Sequence, residues 1–255
     1  MIFRGSRKAS PFFNTFIMKI ALVGYGKMGK EIEKIALERG HSVVLTIDIN
    51  NQQDFTVENL QKADVAIEFT TPATAVNNYI QCFKAHVPVV SGSTGWLERY
   101  DEVVSLCKQY GSTFFYSSNY SLGVNIFFEI NKKLAAIMNA FPQYDVCVEE
   151  THHNQKLDAP SGTAITIAND ILAEVERKKS WRLNEFKTTE ELQIVSKRIG
   201  TVPGIHVVEY DSAEDVIEIK HSAKSRRGLA FGAVLAAEFV QGKTGVFGMK
   251  DLLNI

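Results

Sequence analysis

A short apolar run that leads directly into three spaced glycines is the feature of this chain that most constrains its fold. Residues 19–24 have the pattern of a buried strand, and Gly24, Gly26 and Gly29 follow in the order G-x-G-x-x-G. A helical run then covers residues 30–39. The three-glycine pattern alone is common by chance, but between a strand and a helix it predicts a dinucleotide-binding βαβ unit.

Each glycine of this loop has a separate expected role. Gly24 permits the tight turn, Gly26 lets the backbone approach a pyrophosphate, and Gly29 allows close packing of the helix on the strand. A second strand is predicted over residues 42–48, and its last residue, Asp48, is placed to accept hydrogen bonds from an adenosine ribose. The alternative is a plain βαβ unit that binds no ligand.

The alternation of strands and helices continues beyond this unit. Residues 63–69, 87–90 and 113–116 are predicted strands, and polar turns follow them, at 70–72, 92–95 and 117–120. Ligands of an open parallel sheet bind outside the carboxyl ends of its strands. We therefore expect these turns to lie at the same edge of the sheet as the glycine loop.

A second motif joins a predicted strand, residues 145–152, to a predicted helix, residues 164–172. The connection carries His152, His153 and Lys156, and such a group has no obvious role in packing. The combination indicates a pocket for a carboxylate substrate, with a histidine that moves a proton.

The start of that helix is also marked. Asp158 and Ser161 are both capping types, with Pro160 between them at an expected first-turn position. The free N–H groups of the first turn, notably those of Gly162 and Thr163, form a natural anion site.

Two other interpretations of this segment remain open. It is either a capped helix with a histidine nearby, or a metal site formed by His152, His153 and Asp158. Adjacent residues of a strand point to opposite faces, which disfavours joint binding of one ion by the two histidines. We expect no metal.

Composition excludes several classes of protein. A chain of 255 residues with a net charge of −1 is long enough for two domains and lacks the basic excess typical of nucleic-acid binding. No apolar run is long enough to span a membrane. The three cysteines, Cys82, Cys107 and Cys147, have no paired spacing, so we expect buried thiols in a reducing cytoplasm. Residues 1–17 are basic and precede a natural domain start, and we expect a disordered or mis-assigned extension.

Five segments carry a family resemblance. They are G-Y-G-K-M-G at 24–29, G-S-T-G at 92–95, S-N-Y-S-L-G-V-N at 118–125, E-T-H-H-N-Q-K-L-D-A-P-S-G-T at 150–163 and R-I-G-T-V-P-G-I-H at 198–206. Together they resemble the dihydrodipicolinate reductases, also called 4-hydroxy-tetrahydrodipicolinate reductases, of diaminopimelate and lysine biosynthesis. The resemblance extends from Met18 to the C-terminus, and its most specific part is 150–163.

The resemblance implies roles at matching positions. His152 matches a catalytic acid/base and Lys156 a catalytic lysine, while the implied substrate-binding residues are His153, Gly162 and Thr163, to which we add Ser161 and Arg226. The expected dinucleotide site comprises Gly24, Tyr25, Gly26, Lys27, Met28, Gly29, Asp48, Thr70, Gly92, Ser93, Thr94, Ser117, Ser118, Asn119 and Tyr120. Thr71 stands where some members have an arginine, which removes one cofactor contact.

The expected fold is α/β: a Rossmann-type, doubly wound parallel sheet plus a second α+β domain with a mixed sheet. We expect residues 18–122 and 227–255 to bind the dinucleotide, and residues 123–226 to bind a cyclic dicarboxylate substrate and to form a homotetramer. No nucleic-acid or membrane partner is expected.

For the cofactor, Asp48 favours NADH, and Lys27 leaves NADPH usable. The alternatives are another two-domain dehydrogenase of amino-acid metabolism, of the homoserine or diaminopimelate type, and a non-catalytic dinucleotide sensor.

Overall fold

The computed structural model describes residues 17–255, and these form two compact units. The first unit contains the described residues up to Tyr120 together with Leu229–Ile255, and the second is Ser121–Gly228. Apart from Ile17, the extension expected at residues 1–17 lies outside the described residues. No helix within residues 17–255 is long and apolar enough to cross a membrane.

The first unit is built on a six-stranded sheet in which every neighbouring pair of strands is parallel. Its strands are β1 (Lys19–Val23), β2 (Ser42–Ile47), β3 (Val65–Glu68), β4 (Val89–Ser91), β5 (Thr113–Tyr116) and β11 (Gly245–Phe247). Their spatial order is β2-β1-β3-β4-β5-β11. The order reverses between β1 and β3, which is the position where doubly wound sheets bind ligands. The predicted Rossmann-type domain is confirmed.

Four α-helices connect the first five of these strands, as the alternating sequence pattern predicts, and two more flank β11 in the chain. They are α1 (Lys27–Glu38), α2 (Val57–Leu60), α3 (Pro72–Lys84), α4 (Tyr100–Gln109), α7 (Arg227–Phe239) and α8 (Met249–Leu253). α1 begins three residues before the predicted start at Lys30, because Gly26 is its N-cap. Lys27, Met28 and Gly29 therefore belong to its first turn, and not to the preceding loop.

The second unit has a five-stranded mixed sheet, which confirms the prediction of a second α+β domain. Its strands, in spatial order, are β10 (Val216–Ser222), β9 (Ile205–Asp211), β6 (Asp145–His152), β8 (Glu191–Arg198) and β7 (Ser180–Leu183). β6 pairs antiparallel with β9 and parallel with β8. Both pairings bring residues distant in sequence against the end of β6.

Two helices, α5 (Leu122–Met138) and α6 (Gly162–Glu174), contribute to the apolar core of the second unit. The core combines Phe127 and Ala135 of α5 and Ile167 of α6 with strand residues such as Val148 and Ile194, all of them buried. Burial of this surface stabilises the unit by roughly 25 cal/mol per Å² of apolar area. The core thereby fixes the end of β6 relative to the start of α6.

Two local predictions are wrong. Pro160 is not in the first turn of α6, because Ser161 is the N-cap and its side chain accepts the Ala164 amide. Cys147 is only half-buried, since its strand position faces away from the α6 core, whereas Cys82 and Cys107 are buried as expected.

Candidate functional site

Two glycines of the first loop are required by the packing of the chain itself. Gly24 has a φ of +95°, and a Cβ added to it would lie 2.0 Å from the carbonyl oxygen of Phe69. A Cβ on Gly29 would lie 2.3 Å from the carbonyl oxygen of Gly24. A side chain at Gly24 would push the loop away from the backbone after β3, and one at Gly29 would push α1 away from the loop, so both glycines serve the fold.

Gly26 is different, because no atom of the described chain lies within 4 Å of the position that its Cβ would take. Its φ of −81° is also accessible to other residues. The exposed space at Gly26 and the N-terminus of α1 form a cradle that suits a pyrophosphate, as the fit of a dinucleotide requires. Asp48, just after β2, uses Oδ1 to accept the Ile49 amide at 2.7 Å.

The turns after β3 and β4 are joined by one buried carboxylate, Glu68. Its Oε2 accepts the Ser91 hydroxyl at 2.8 Å, and its Oε1 accepts the Ser93 hydroxyl at 3.0 Å and the Thr70 hydroxyl. The Ser93 oxygen in turn accepts the Thr70 amide at 2.8 Å. Thr70 and Ser93, both expected at the dinucleotide site, are thus fixed to one another at the carboxyl ends of β3 and β4.

The other expected cofactor residues occupy the same edge of this sheet in different ways. Tyr120 is only 1% exposed, and its hydroxyl donates to the Ser91 carbonyl at 2.6 Å. Only its backbone is therefore left for a cofactor contact. The Ser117 oxygen accepts the Asn119 amide at 3.1 Å, which shapes the turn after β5, while Thr94 and Ser118 are exposed.

The second unit holds His152 at the end of β6 by contact with a buried carboxylate. Nδ1 of His152 lies 3.3 Å from Oε2 of Glu150, which is fully buried. Residues two apart on a strand share a face, so both side chains point to the α6 side of the sheet. Nδ1 faces this carboxylate at ion-pair distance without a hydrogen bond, and Nε2 is the ring nitrogen on the opposite side.

Glu150 is itself held by three donors. Its Oε1 accepts the Ser196 hydroxyl at 2.8 Å, the Ser161 amide at 3.1 Å and Nη2 of Arg198 at 3.2 Å. Burial alone would raise the pKa of Glu150, but interactions with His152, Ser161 and Ser196 outweigh it and lower that pKa well below its usual range. Glu150 is therefore an anion behind His152 at neutral pH.

A second histidine lies against His152. The rings of His152 and His206 are 5.1 Å apart edge to face, and Nε2 of His206 lies 3.3 Å from the Ser161 oxygen. Burial, followed by the charge of His152, lowers the pKa of His206 to about 4, so His206 is neutral at physiological pH. Gly204 also lies against His152, because a Cβ there would lie 3.1 Å from Nε2 of His152.

Lys156 lies in the loop after β6. Its ammonium group is held in an ion pair and is therefore not a free charge. Its Nζ lies 2.8 Å from both carboxylate oxygens of Asp158, and this contact lowers the pKa of Asp158. Asp158 is thus a partner of Lys156 and not a helix cap. To bind a substrate carboxylate, Lys156 would exchange this exposed partner for the ligand.

The N-terminus of α6 offers backbone donors close to the same loop. Ser161 accepts the amide of Ala164 on its hydroxyl oxygen and that of Ile165 on its carbonyl. The amides of Gly162 and Thr163 have no hydrogen-bond partner in the part of the chain that the structure describes. No atom lies within 4 Å of a Cβ built on Gly162, so the space in front of this helix end is open. His153 is half-buried in the loop, and Arg226 is exposed just before α7.

The predicted metal site that includes Asp158 is disfavoured, because Asp158 is paired with Lys156. Instead, Glu150, His152 and His206 place one possible ligand atom each within 4.8 Å of one another. However, the guanidinium of Arg198 already contacts Glu150, and a positive charge there opposes a divalent cation. We interpret this cluster as a support for His152.

Comparison with known proteins assigns the chain to a family. The model described as "Dihydrodipicolinate reductase, N-terminus" matches residues 18–120, and "Dihydrodipicolinate reductase, C-terminus" matches residues 123–253. The chain belongs to the dihydrodipicolinate reductase family. The predicted resemblance is confirmed, and the chain is a nicotinamide-dinucleotide-dependent reductase.

Relatives match this chain over nearly their whole length. A 4-hydroxy-tetrahydrodipicolinate reductase of Christiangramia forsetii is 50% identical over 241 residues, 93% of this chain and 98% of the relative. The enzyme of that name from Caldanaerobacter subterraneus is 36% identical, over 90% and 95% of the two chains. A dipicolinate-bound dihydrodipicolinate reductase from Paenisporosarcina sp. TG-14 has the same fold, with a TM-score of 0.74 and 22% identity over 92% of this chain and 99% of that one.

Sequence reasoning did not single out three residues of the cluster around His152: Glu150, Arg198 and His206. All three lie in segments that carry the family resemblance, at 150–163 and 198–206. The signal was the R-x-G-x-x-P-G-x-H motif, whose first and last residues both face Glu150 in the folded chain.

Proposed function

We propose that this chain reduces 4-hydroxy-tetrahydrodipicolinate to tetrahydrodipicolinate with NAD(P)H and loss of water, in diaminopimelate and lysine biosynthesis. The observation that carries the proposal is the β6–α6 connection. It places a carboxylate-backed histidine, His152, and a lysine, Lys156, in one loop with the free amides of Gly162 and Thr163. Both curated relatives described above bear the name of this activity.

The substrate is a cyclic dicarboxylate, and the loop supplies groups that fit one carboxylate. The amides of Gly162 and Thr163 donate from the positive end of the α6 dipole, and Lys156 adds a full charge. Arg226 is the proposed partner of the other carboxylate, with His153 and Ser161 completing the pocket. The printed title of the structural neighbour, bound to dipicolinate, agrees with a planar dicarboxylate ligand.

A nicotinamide dinucleotide, when bound, would supply a hydride to the conjugated imine that remains after loss of water. Gly24 through Gly29, Asp48, Thr70 and the turns at 92–94 and 117–120 are the proposed binding residues of the dinucleotide. Gly26 suits this role because its open cradle accepts a pyrophosphate without any shift of the backbone.

His152 and Lys156 handle the proton that the reduction consumes. Negative charge develops on the ring as hydride arrives, and a proton delivered from Nε2 of His152 or from Nζ of Lys156 neutralises it. The charge of Glu150, 3.3 Å from Nδ1 of His152, favours one orientation of the ring.

We propose that NADH is preferred and that NADPH is also used. Oδ2 of Asp48 is available to ribose hydroxyls, since only Oδ1 is used by the Ile49 amide, and its charge repels a 2′-phosphate. Lys27, in the exposed first turn of α1, is the group that would tolerate this phosphate. Measuring kcat/KM for both cofactors in wild type and in Asp48→Ala tests this: the variant should gain NADPH preference. A wild-type preference for NADPH, unchanged in Asp48→Ala, would refute it.

We further propose a homotetramer assembled through the second unit, and a cytoplasmic location. The free thiols of Cys82, Cys107 and Cys147 support a reducing compartment. Sedimentation analysis of the purified chain tests the tetramer.

The reaction itself is tested by a substrate panel. NADH oxidation is followed with freshly generated 4-hydroxy-tetrahydrodipicolinate and with aspartate semialdehyde, and NAD⁺ reduction is followed with homoserine and with meso-diaminopimelate. Multiple turnovers with the first compound alone support the proposal. Turnover with any other compound alone, or binding of NADH without turnover, would refute it.

A further inference from the structure

We propose that Arg198 positions both proton-handling groups of the site, His152 through Glu150 and Lys156 through the backbone of its loop. The proposal rests on the function proposed above and assigns a role to a residue outside the expected site. Arg198 is the last residue of β8, and it lies directly beside His152 in the parallel pairing with β6.

The guanidinium spans the space between the strand and the loop. Nη2 lies 3.2 Å from Oε1 of Glu150 and 2.6 Å from the carbonyl oxygen of Asp158. Nε lies 3.4 Å from the carbonyl oxygen of Lys156, and Nη1 donates to that of Lys197 at 2.9 Å. One rigid side chain therefore connects the carboxylate behind His152 to the loop that carries Lys156.

Arg198 also places a positive charge beside the buried carboxylate of Glu150. Glu150 is fully buried, and its other anchoring donors, the Ser161 amide and the Ser196 hydroxyl, are neutral. Histidines 152 and 206 also face it, but they carry charge only when protonated. Among residues 17–255, Arg198 is thus the permanent cation that contacts Glu150. Without it, a buried carboxylate loses its charge-assisted partner.

An arginine is needed for this arrangement. The guanidinium presents five donors in a fixed planar fork, so it can bridge three acceptors that lie in different directions. A lysine at this position would keep the charge, but its compact ammonium could not hold Glu150 and both loop carbonyls together. Loss of the bridge should displace Lys156 and the His152 ring by a fraction of an ångström or more, a shift that typically costs about 10²-fold in rate.

The chain offers a matched control beside Arg198. Lys197 belongs to the same strand end, and its Nζ lies 2.5 Å from Oε2 of Glu149, so it also forms an ion pair between β8 and β6. Lys197 is exposed and Glu149 is half-buried, and both lie on the side of the sheet that faces away from His152. Lys197→Ala therefore removes a cation and a cross-strand ion pair without touching the site.

The test compares Arg198→Ala, Arg198→Lys and Lys197→Ala in the full-length chain. We expect kcat to fall about 10²-fold in Arg198→Ala and to remain low in Arg198→Lys, with an unchanged KM for NADH. Millimolar guanidinium chloride should restore part of the activity of Arg198→Ala alone. Backbone hydrogen exchange over residues 153–158 should accelerate in both Arg198 variants. Lys197→Ala should match wild type in every measurement.

The measurements distinguish failure of the proposed role of Arg198 from failure of the proposed function. Wild-type activity in Arg198→Lys, or loop exchange in both Arg198 variants equal to that of Lys197→Ala, would overturn the role of Arg198. If Arg198→Ala does not fold, Arg198→Lys decides by the same criteria. An inactive wild type would refute the proposed function instead, and the exchange over 153–158 would still decide whether Arg198 holds the loop.

Discussion

Nδ1 of His152 lies 3.3 Å from Oε2 of Glu150, a carboxylate with no exposed surface. The two residues are separated by one position on β6, so the pleat of the strand places them side by side. The negative charge of the carboxylate therefore lies directly beside Nδ1 of the imidazole. The opposite nitrogen, Nε2, lies beside Gly204, where the absence of a side chain keeps it uncovered.

Removal of either proton-handling group should slow the reaction without unfolding the chain. We expect His152→Ala and Lys156→Ala to lower kcat, by about 10²–10⁴-fold for the true donor. The dissociation constant for NADH should not change, because the dinucleotide residues belong to the other unit. Steady-state kinetics and NADH titration measure both quantities, with the exposed His86 replaced by Asn as a control. Wild-type turnover in a folded double variant of His152 and Lys156 would contradict the assignment.

Pyridine-2,6-dicarboxylate should inhibit in competition with the substrate through the open end of α6. A Cβ added at Gly162 meets no atom within 4 Å outside its own helix and chain neighbours, so Gly162→Val should fold but cover the free amides. Hydrogen bonds to a charged group contribute about 1.5–3 kcal/mol, so the inhibition constant should rise roughly tenfold to a hundredfold. Glu174→Ala, in the last turn of the same helix, is the control. An unchanged inhibition constant in Gly162→Val would place the carboxylate elsewhere.

Two glycines of the first loop should respond in opposite ways. Gly26→Ala adds a methyl group to open space, so we expect normal stability and weaker NADH binding. Gly29→Ala forces a methyl group against the Gly24 carbonyl, and such overpacking typically costs about 1–3 kcal/mol of unfolding free energy. Thermal unfolding and NADH fluorescence titration separate the two effects. Equal NADH affinity in Gly26→Ala and wild type would argue against the cradle.

His206 should make the chain sensitive to mild acid. Its pKa of about 4 in the folded chain lies below the unfolded value, about 6.5. As pH falls through this window, the unfolded chain gains a proton that the folded chain does not, so stability is lost. His206→Gln should therefore lose less stability than wild type between about pH 7 and pH 4.5, by a difference on the order of 2 kcal/mol. Urea unfolding at both pH values measures this, and equal losses in the two proteins would contradict the buried neutral histidine.

The fold was predictable because its signals are local. Short stretches of sequence indicate the strand before Gly24, the helix after it and the segment from His152 to Thr163. The support of His152 was not predictable in this way. Glu150 lies opposite His206 in the antiparallel pairing and beside Ser196 in the parallel pairing. Only the registers of β6 with β8 and β9 bring these groups together, and no local pattern specifies them.

Transfer of hydrogen from the cofactor tests the central claim most directly. The wild-type chain is incubated with 4-hydroxy-tetrahydrodipicolinate and with NADH in which both hydrogens on C4 of the nicotinamide are deuterium. The product is analysed by mass spectrometry. We predict tetrahydrodipicolinate with one deuterium for each NADH oxidised, and loss of this product in the His152→Ala/Lys156→Ala double variant. Oxidised cofactor without labelled product, or no oxidation at all, would contradict the claim that this chain is a hydride-transferring reductase of this dicarboxylate.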